Sequence, residues 1–322
     1  MSLEAERIFY VNGEYVPESQ AKISVTDHAF NWGDGLFDAF PCWEGNLHKL
    51  DAHLDRLYRG AQALALTVPL DRAALRDAVV ELVRRNGLPM ALIKIVVSRG
   101  VRPAMGMDPR GCTPTVVIQL HPLLHPADPW SPQAPTGSAA GAQGGLERLE
   151  RGLKVKTTAV RRTPPECLDP RIKTLNYLNL ILARMEATAS GADEGLMLDT
   201  HGRVCEGSGY NVAVVHGGEV STPRDNILEG ITRQTLLEIC ARDGIPAHER
   251  DLSLYDVYTA DEVFFCSTMV TVMAVTEVDG RRIGSGRRGP LTKGLYEAFI
   301  RELTTGPNLT YVLSREPRMA AR

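Results

Sequence analysis

Of the 36 lysine and arginine residues in this 322-residue chain, only seven are lysines, so chemistry that needs an amine has few candidates. Lys173 stands out. It lies in Asp169-Pro-Arg-Ile-Lys-Thr-Leu-Asn-Tyr177, among apolar residues just ahead of a helical stretch. Partial burial there favours the neutral amine, the form that attacks a carbonyl carbon. Read alone, it is more simply a solvated lysine at a strand end. Glu206, in Val204-Cys-Glu-Gly-Ser-Gly-Tyr-Asn211, sets a carboxylate before a glycine-rich bend, which alone is an ordinary turn. Leu228-Glu-Gly-Ile231-Thr232-Arg233 opens a helix whose first N–H groups suit a phosphate, although a plain helix start has the same look. Arg56, in His53-Leu-Asp-Arg-Leu57, offers a planar fork of donors to a phosphate or simply a surface ion pair.

Other patterns carry less. Gly284-Ser-Gly-Arg-Arg-Gly289 spells a dinucleotide-type glycine motif, but it follows a hairpin signal and runs into Pro290, so a tight turn is expected. Asn308-Leu-Thr310 is a sequon without a leader segment. Gly207-Ser-Gly209 lacks the spacing of a nucleophile elbow, and the eight histidines show no paired ligand spacing. The six cysteines are scattered, with no CxxC pair, which fits a reducing compartment rather than a disulfide scaffold. No metal is expected.

The elements that hold these residues follow from periodicity. Ile8–Val16 is predicted as a hairpin turning at Asn12-Gly13, and Phe37–Trp43 with Leu47–Leu50 as a second one turning at Glu44-Gly45. Leu54, Leu57, Tyr58, Ala61 and Leu64 recur at helical spacing, as do Leu75, Val79, Leu82 and Val83 ahead of a stop at Gly87. Ala91–Ser98, Thr115–Leu120 and Lys154–Val160 are expected strands. Leu175–Ala189, Ile231–Ala241 and Thr292–Leu303 are expected helices, with turns at His201-Gly202, Gly217-Gly218 and Asp279-Gly280. Pro, Gly, Ala and Ser dominate 126–145, a linker composition. The chain therefore divides into a small α/β domain over 1–125, a linker over 126–150, a larger domain over 151–305 and a polar tail over 306–322, frayed from Thr304 onward. The fold class is α+β, with a barrel-like sheet in the second half.

Composition bounds the function. Hydrophobic residues make up 43 % and charged residues 23 %, the balance of a soluble globular protein. A net charge of −3 and a pI near 6.3 argue against nucleic acid as a partner. No apolar run is long enough for a bilayer, and none opens the chain as a leader, so a cytoplasmic location is expected.

A lysine for a Schiff base, a carboxylate against a ring nitrogen and a phosphate cup are the parts that pyridoxal 5'-phosphate needs. At these residues the sequence resembles the class IV aminotransferases, the fold-type IV pyridoxal phosphate enzymes, in collinear order over roughly residues 7 to 303. The resemblance implies a ping-pong transamination, two domains with a pseudo-barrel as the larger, the cofactor between them, and a homodimer whose loops close one another's pockets. It also implies roles. Lys173 matches the Schiff-base lysine, which also shuttles the proton at Cα. Glu206 matches the partner of the pyridine nitrogen. Arg56, the backbone of Ile231 and Thr232, and the Thr268 hydroxyl match phosphate donors, and Tyr177 matches a tyrosine on the cofactor's 3' oxygen.

Branched-chain amino-acid aminotransferases are the nearest pattern. Gly33-Asp-Gly-Leu-Phe37 and Met105-Gly-Met107 resemble segments that line an apolar side-chain pocket there. Leu92 and Lys94 stand where those enzymes usually carry Tyr and Arg, and Lys94 offers charge without a planar fork. Met269 and Val270 replace small residues beside Thr268, which would narrow the pocket. Phe37, Lys94, Met107 and Met269 are thus the expected substrate-binding residues, for an apolar amino acid and a 2-oxo acid. An aminodeoxychorismate lyase that releases pyruvate is an alternative that Lys94 favours. D-amino-acid or (R)-amine transamination is another, and Arg161-Arg-Thr-Pro-Pro165 resembles the (R)-selective enzymes. A non-enzymatic relative is disfavoured by the complete Lys, Glu and Arg set.

Overall fold

The early strand signals assemble into one antiparallel sheet. The computed structural model describes residues 6–104, 106–123 and 149–313, so almost all of the expected linker, Met105 and the end of the tail lie outside the described residues. Two compact units form. The first holds the described residues up to Leu123, together with Ile172–Asn176 and the chain from Glu302 onward; the second holds the remainder.

In the first unit, β1 (Ile8–Val11) and β2 (Glu14–Pro17) make the hairpin expected at Asn12-Gly13, and both turn residues have positive φ, 48° and 103°. β3 (Gly35–Trp43) and β4 (Asn46–His48) turn likewise at Glu44 and Gly45. With β5 (Ala91–Val101), β6 (Thr113–Pro122) and the last strand, β16 (Leu309–Tyr311), the sheet order is β16-β4-β3-β5-β6-β1-β2. The tail is therefore not frayed from Thr304. Leu309–Tyr311 pairs antiparallel with β4, because that edge strand offers unpaired backbone groups.

Register sorts β3 into two faces. Phe37 lies opposite Val96 and Ala39 opposite Lys94, which puts these four on one face. Leu36, Asp38 and Phe40 share the other face with Ile93, Ile95 and Val97, all fully or almost fully buried. Helices α2 (Leu50–Ala63) and α3 (Arg72–Asn86) cover that second face with Leu50, Leu54, Leu57, Leu75, Val79 and Leu82. Burying each such side chain contributes about 1.5–3 kcal/mol. α3 stops at Gly87 in the left-handed region, as expected. A short helix, α1 (His28–Trp32), precedes β3.

The second unit is a nine-stranded sheet that closes on itself. Its strands are β7 (Leu153–Thr157), β8 (Glu194–Leu198), β9 (Val204–Gly207), β10 (Asn211–His216), β11 (Glu219–Thr222), β12 (Ala247–Glu249), β13 (Glu262–Ser267), β14 (Thr271–Val278) and β15 (Arg281–Arg282). A ring runs β10-β13-β14-β7-β8-β9 and returns to β10 through the pair Glu206–Asn211, while β11, β12 and β15 branch from it. This is the expected pseudo-barrel. β8, β10 and β13 are buried on both faces, which is why they read as apolar runs rather than as alternation.

Helices α4 (Leu178–Ala189), α5 (Ile231–Arg242), α6 (Leu254–Tyr258) and α7 (Pro290–Thr305) belong to this part of the chain. α4 starts three residues later than predicted, because Ile172–Asn176 pairs with the start of β3 and belongs to the first unit. The glycine motif at 284–289 is a turn, as expected. The helix start behind it is occupied: the Glu262 carboxylate accepts from the Leu291 and Thr292 N–H groups at 2.9 and 2.7 Å.

Candidate active site

Lys173 is placed by the edge of β3. The Phe37 N–H donates to the Lys173 carbonyl at 2.9 Å, the Leu175 N–H donates to the Gly35 carbonyl at 3.0 Å, and Leu36 bridges Thr174. Gly35 has no room for a side chain. A Cβ there would lie 2.6 Å from the Val97 carbonyl oxygen and 2.8 Å from Leu175 Cδ1. Asn176 ties the far end, its Nδ2 donating to the Gly33 carbonyl at 2.9 Å. The Gly33-Asp-Gly35 segment thus seats the lysine strand, a role beyond the pocket lining expected of it.

This pairing puts Lys173 on the open face of β3. Its Nζ lies 4.7 Å from the centre of the Phe37 ring, and Lys94 Nζ lies 4.7 Å from the same ring. The two expected substrate contacts and the lysine are therefore one cluster. Burial and then the neighbouring Lys173 charge hold the Lys94 ammonium below its ordinary pKa. Met107 falls between β5 and β6 and is 73 % exposed.

Arg56 comes from the covered side of the same strand. Its Nε donates to Asp38 Oδ2 at 2.8 Å and its Nη2 to Asp38 Oδ1 at 2.8 Å, a two-bond fork. His53, one turn earlier on α2, makes a 2.7 Å hydrogen bond from Nδ1 to Asp38 Oδ1. Burial alone would raise the Asp38 pKa, but Arg56 and His53 overcome it and hold the carboxylate well below the usual range. Burial also lowers the His53 pKa, despite the Asp38 charge. His53 is thus a core histidine, as its isolation in the sequence suggested, but it is bonded to the arginine's partner.

In the second unit, Glu206 closes the barrel. Arg162 Nε donates to its Oε1 at 2.8 Å, and Oε2 accepts from Asn211 Nδ2 at 3.2 Å and from the Leu228 N–H at 3.1 Å. Asn211 also donates to the Leu228 carbonyl at 2.9 Å. Its side chain leaves no space beyond Gly230, where a Cβ would approach Asn211 Oδ1 to 2.0 Å. Gly230 is the residue before α5, and no side chain caps the first turn that Ile231 and Thr232 begin. One network thus joins the carboxylate to the helix start. Asn211 pairs with Cys266 across β10 and β13, so the turn with Thr268 and Met269 leaves the same end of the barrel.

Ser267 Oγ accepts from the Met269 and Val270 N–H groups at 3.3 and 3.5 Å. The Val270 side chain turns into the core. It is 2 % exposed and packs in the barrel core, while Met269 alone of the pair is exposed. Tyr177 is the residue before α4 and packs against Leu180, Ala183 and Met197.

Residues 35–278 match the family Amino-transferase class IV. The chain belongs to the class IV aminotransferases. A putative branched-chain-amino-acid aminotransferase of Methanocaldococcus jannaschii is 38 % identical over 296 residues, covering 90 % of this chain and 94 % of that protein. A D-alanine aminotransferase of Listeria monocytogenes is 31 % identical over 91 % of this chain and 95 % of its own. The crystal structure of a branched-chain amino acid aminotransferase from T.th. with pyridoxamine 5'-phosphate superimposes with a TM-score of 0.85. It is 31 % identical, over 96 % of this chain and 99 % of that one. The fold of this aminotransferase is therefore the two-domain fold-type IV architecture expected.

Four residues of the aminotransferase went unremarked as site residues in the sequence: Asp38, His53, Arg162 and Asn211. Asp38 and Arg162 meet recognised residues across 18 and 44 residues of chain, which no local motif spans, whereas Asn211 lies in the same short motif as Glu206 and His53 bonds Asp38. The adjacent pair Arg161-Arg162 was a visible signal, but not which of the two arginines faces Glu206.

Proposed function

We propose that this class IV aminotransferase works with pyridoxal 5'-phosphate and moves an amino group from a branched-chain or similar apolar amino acid to a 2-oxo acid, in two half-reactions of a ping-pong cycle. When bound, the cofactor supplies an aldehyde for the amino group and a ring that accepts the electron pair of the substrate Cα–H bond. Lys173 would hold the cofactor aldehyde through its amine and would carry the proton at the substrate Cα. Glu206 holds a negative charge against the ring nitrogen. Arg56, the Ile231 and Thr232 N–H groups and the Thr268 hydroxyl take the phosphate, and Tyr177 takes the ring hydroxyl oxygen.

The observation that carries this reading is the fixing of Glu206. Three donors, one of them the Arg162 guanidinium, fix and aim its carboxylate, which an electron-accepting ring needs. Phe37 supports an apolar side chain. Lys94 supplies the charge for the carboxylate of an acidic acceptor, and Met107 and Met269 complete the expected substrate contacts.

Leu178, Ile181, Leu182 and Met185 form an exposed apolar stripe on α4, at 45–66 % exposure, and support a homodimer. Among the described residues no helix is long and apolar enough to cross a membrane. The six cysteines are free, in keeping with a cytoplasmic place of work.

Initial-rate kinetics test the substrate assignment. L-Leucine with 2-oxoglutarate should give parallel double-reciprocal lines. Turnover of D-alanine with none of L-leucine, or pyruvate release from aminodeoxychorismate without an acceptor, would overturn it.

A further inference from the structure

Asp38 is out of place by its surroundings. It sits on the covered face of β3 between Leu36 and Phe40, with no exposed surface, where the neighbouring strand positions are apolar. Its carboxylate accepts four hydrogen bonds: Arg56 Nε on one oxygen, and Arg56 Nη2, His53 Nδ1 and the Ala39 N–H on the other. A buried ion pair of this kind is weak evidence for stability, since apolar residues of the same volume often hold a fold as well. What the fork does supply is direction. Two parallel bonds fix the plane and the roll of a guanidinium, which one bond or a bare charge cannot. The Asp38 fork takes two of the five N–H donors of Arg56.

We propose that Asp38 is a positioning residue for cofactor phosphate. It holds the Arg56 guanidinium in the one orientation that meets a phosphate, and His53 holds Asp38. The proposal rests on the phosphate role assigned to Arg56 above. It makes an unusual prediction of sign. Asp38 is a negative charge near a group expected to bind an anion, so by charge alone its removal should tighten phosphate binding. By positioning, its removal should loosen it.

The test compares two aldehydes that differ only by the phosphate. The full-length chain, stripped of cofactor, is titrated with pyridoxal 5'-phosphate and with pyridoxal, and the ratio of their dissociation constants reports the phosphate contribution. Asp38→Asn should weaken pyridoxal phosphate binding about tenfold or more, the scale of a lost charge-assisted fork, while pyridoxal binding moves far less. Asp38→Glu should restore part of the ratio. Arg56→Lys keeps the charge but cannot form the fork, so it should also collapse the ratio; this variant carries the test if Asp38→Asn does not fold.

Tighter or unchanged pyridoxal phosphate binding in Asp38→Asn would overturn the proposal. So would equal weakening toward both aldehydes, which marks a structural role only, or an intact ratio in Arg56→Lys. An intact ratio in Arg56→Ala would instead remove the phosphate role of Arg56 itself, and with it the reading on which the proposal stands.

Discussion

Each unit of this protein buries a carboxylate against an arginine, and the two pairs are mirror images in use. In the first unit the arginine, Arg56, is the group assigned to the cofactor, and Asp38 holds it with two bonds of 2.8 Å. In the second the carboxylate, Glu206, is the assigned group, and Arg162 holds it with one bond of 2.8 Å, helped by Asn211 and the Leu228 N–H. The acting charge is opposite in sign, but the device is the same: a counter-charge of fixed geometry aims it. The supports differ in kind. Asp38 is held by side chains of one helix, whereas Glu206 sits at the single residue pair that closes a barrel. The second site is thus built into the topology of its sheet, and the first into the packing of a helix on a sheet.

Substitutions can break this symmetry. Lys173→Ala should have the largest effect, loss of detectable turnover, because it removes the amine assigned to the cofactor; full activity would sink the mechanism. Glu206→Gln keeps the shape and most hydrogen bonds but removes the charge. Its kcat should fall by about 10²–10³-fold, the scale of a lost charge-stabilising group, while the cofactor stays bound. That outcome contrasts with Asp38→Asn, which should act on cofactor affinity. If both variants changed affinity alone, the two pairs would not divide the work as described. Arg162→Lys retains the charge beside Glu206 without its planar donors, and a fall in kcat of about tenfold is expected.

Gly35→Ala should cost about 1–3 kcal/mol of stability, as overpacking does. It should also lower kcat, since the added Cβ pushes on the strand that carries Lys173. An unchanged kcat would show that the seat of Lys173 tolerates displacement.

A smaller effect is a pH dependence within the first unit. Burial first, and then the Lys49 and His53 charges, push the His48 pKa down to about 3 from 6.5. The unfolded chain therefore binds a proton that the folded one refuses. Stability from this group is complete above about pH 6.5 and is lost as pH falls toward 3. Asp38 works over a lower range: its folded pKa is depressed, so its stabilisation is present above about pH 3.8 and fades only as pH drops below that. Urea melts at pH 7 and pH 5 should show His48→Gln losing less stability on acidification than the unaltered protein. An equal loss would remove His48 from the account.

The sequence displayed the acting members of each pair more clearly than their supports. Lys173, Arg56, Glu206 and the Ile231-Thr232 helix start lie in short motifs, whose residue types reveal their chemistry. Asp38 and Arg162 act across 18 and 44 residues of chain, a distance only the fold closes. The hairpins at Asn12-Gly13 and Glu44-Gly45 were legible because their turns need positive φ, which few residues adopt. The start of α4 was not: Leu175 continues the apolar period of the helix, but its N–H bonds the Gly35 carbonyl instead of entering the helix. The core packing of Val270 was not legible either, since its place beside Thr268 gives no sign of which way the turn directs its side chain. Leu309–Tyr311 looked like polar tail because a three-residue edge strand has too little pattern to read.

The most direct measurement is the visible absorption of the purified protein before and after L-leucine is added without a 2-oxo acid. The account predicts a band from cofactor bound through Lys173, lost on adding L-leucine as the cofactor takes up the amino group, and restored by 2-oxoglutarate. A protein that shows no band even after pyridoxal 5'-phosphate is supplied would contradict the cofactor assignment. A band that L-leucine leaves untouched would contradict the substrate.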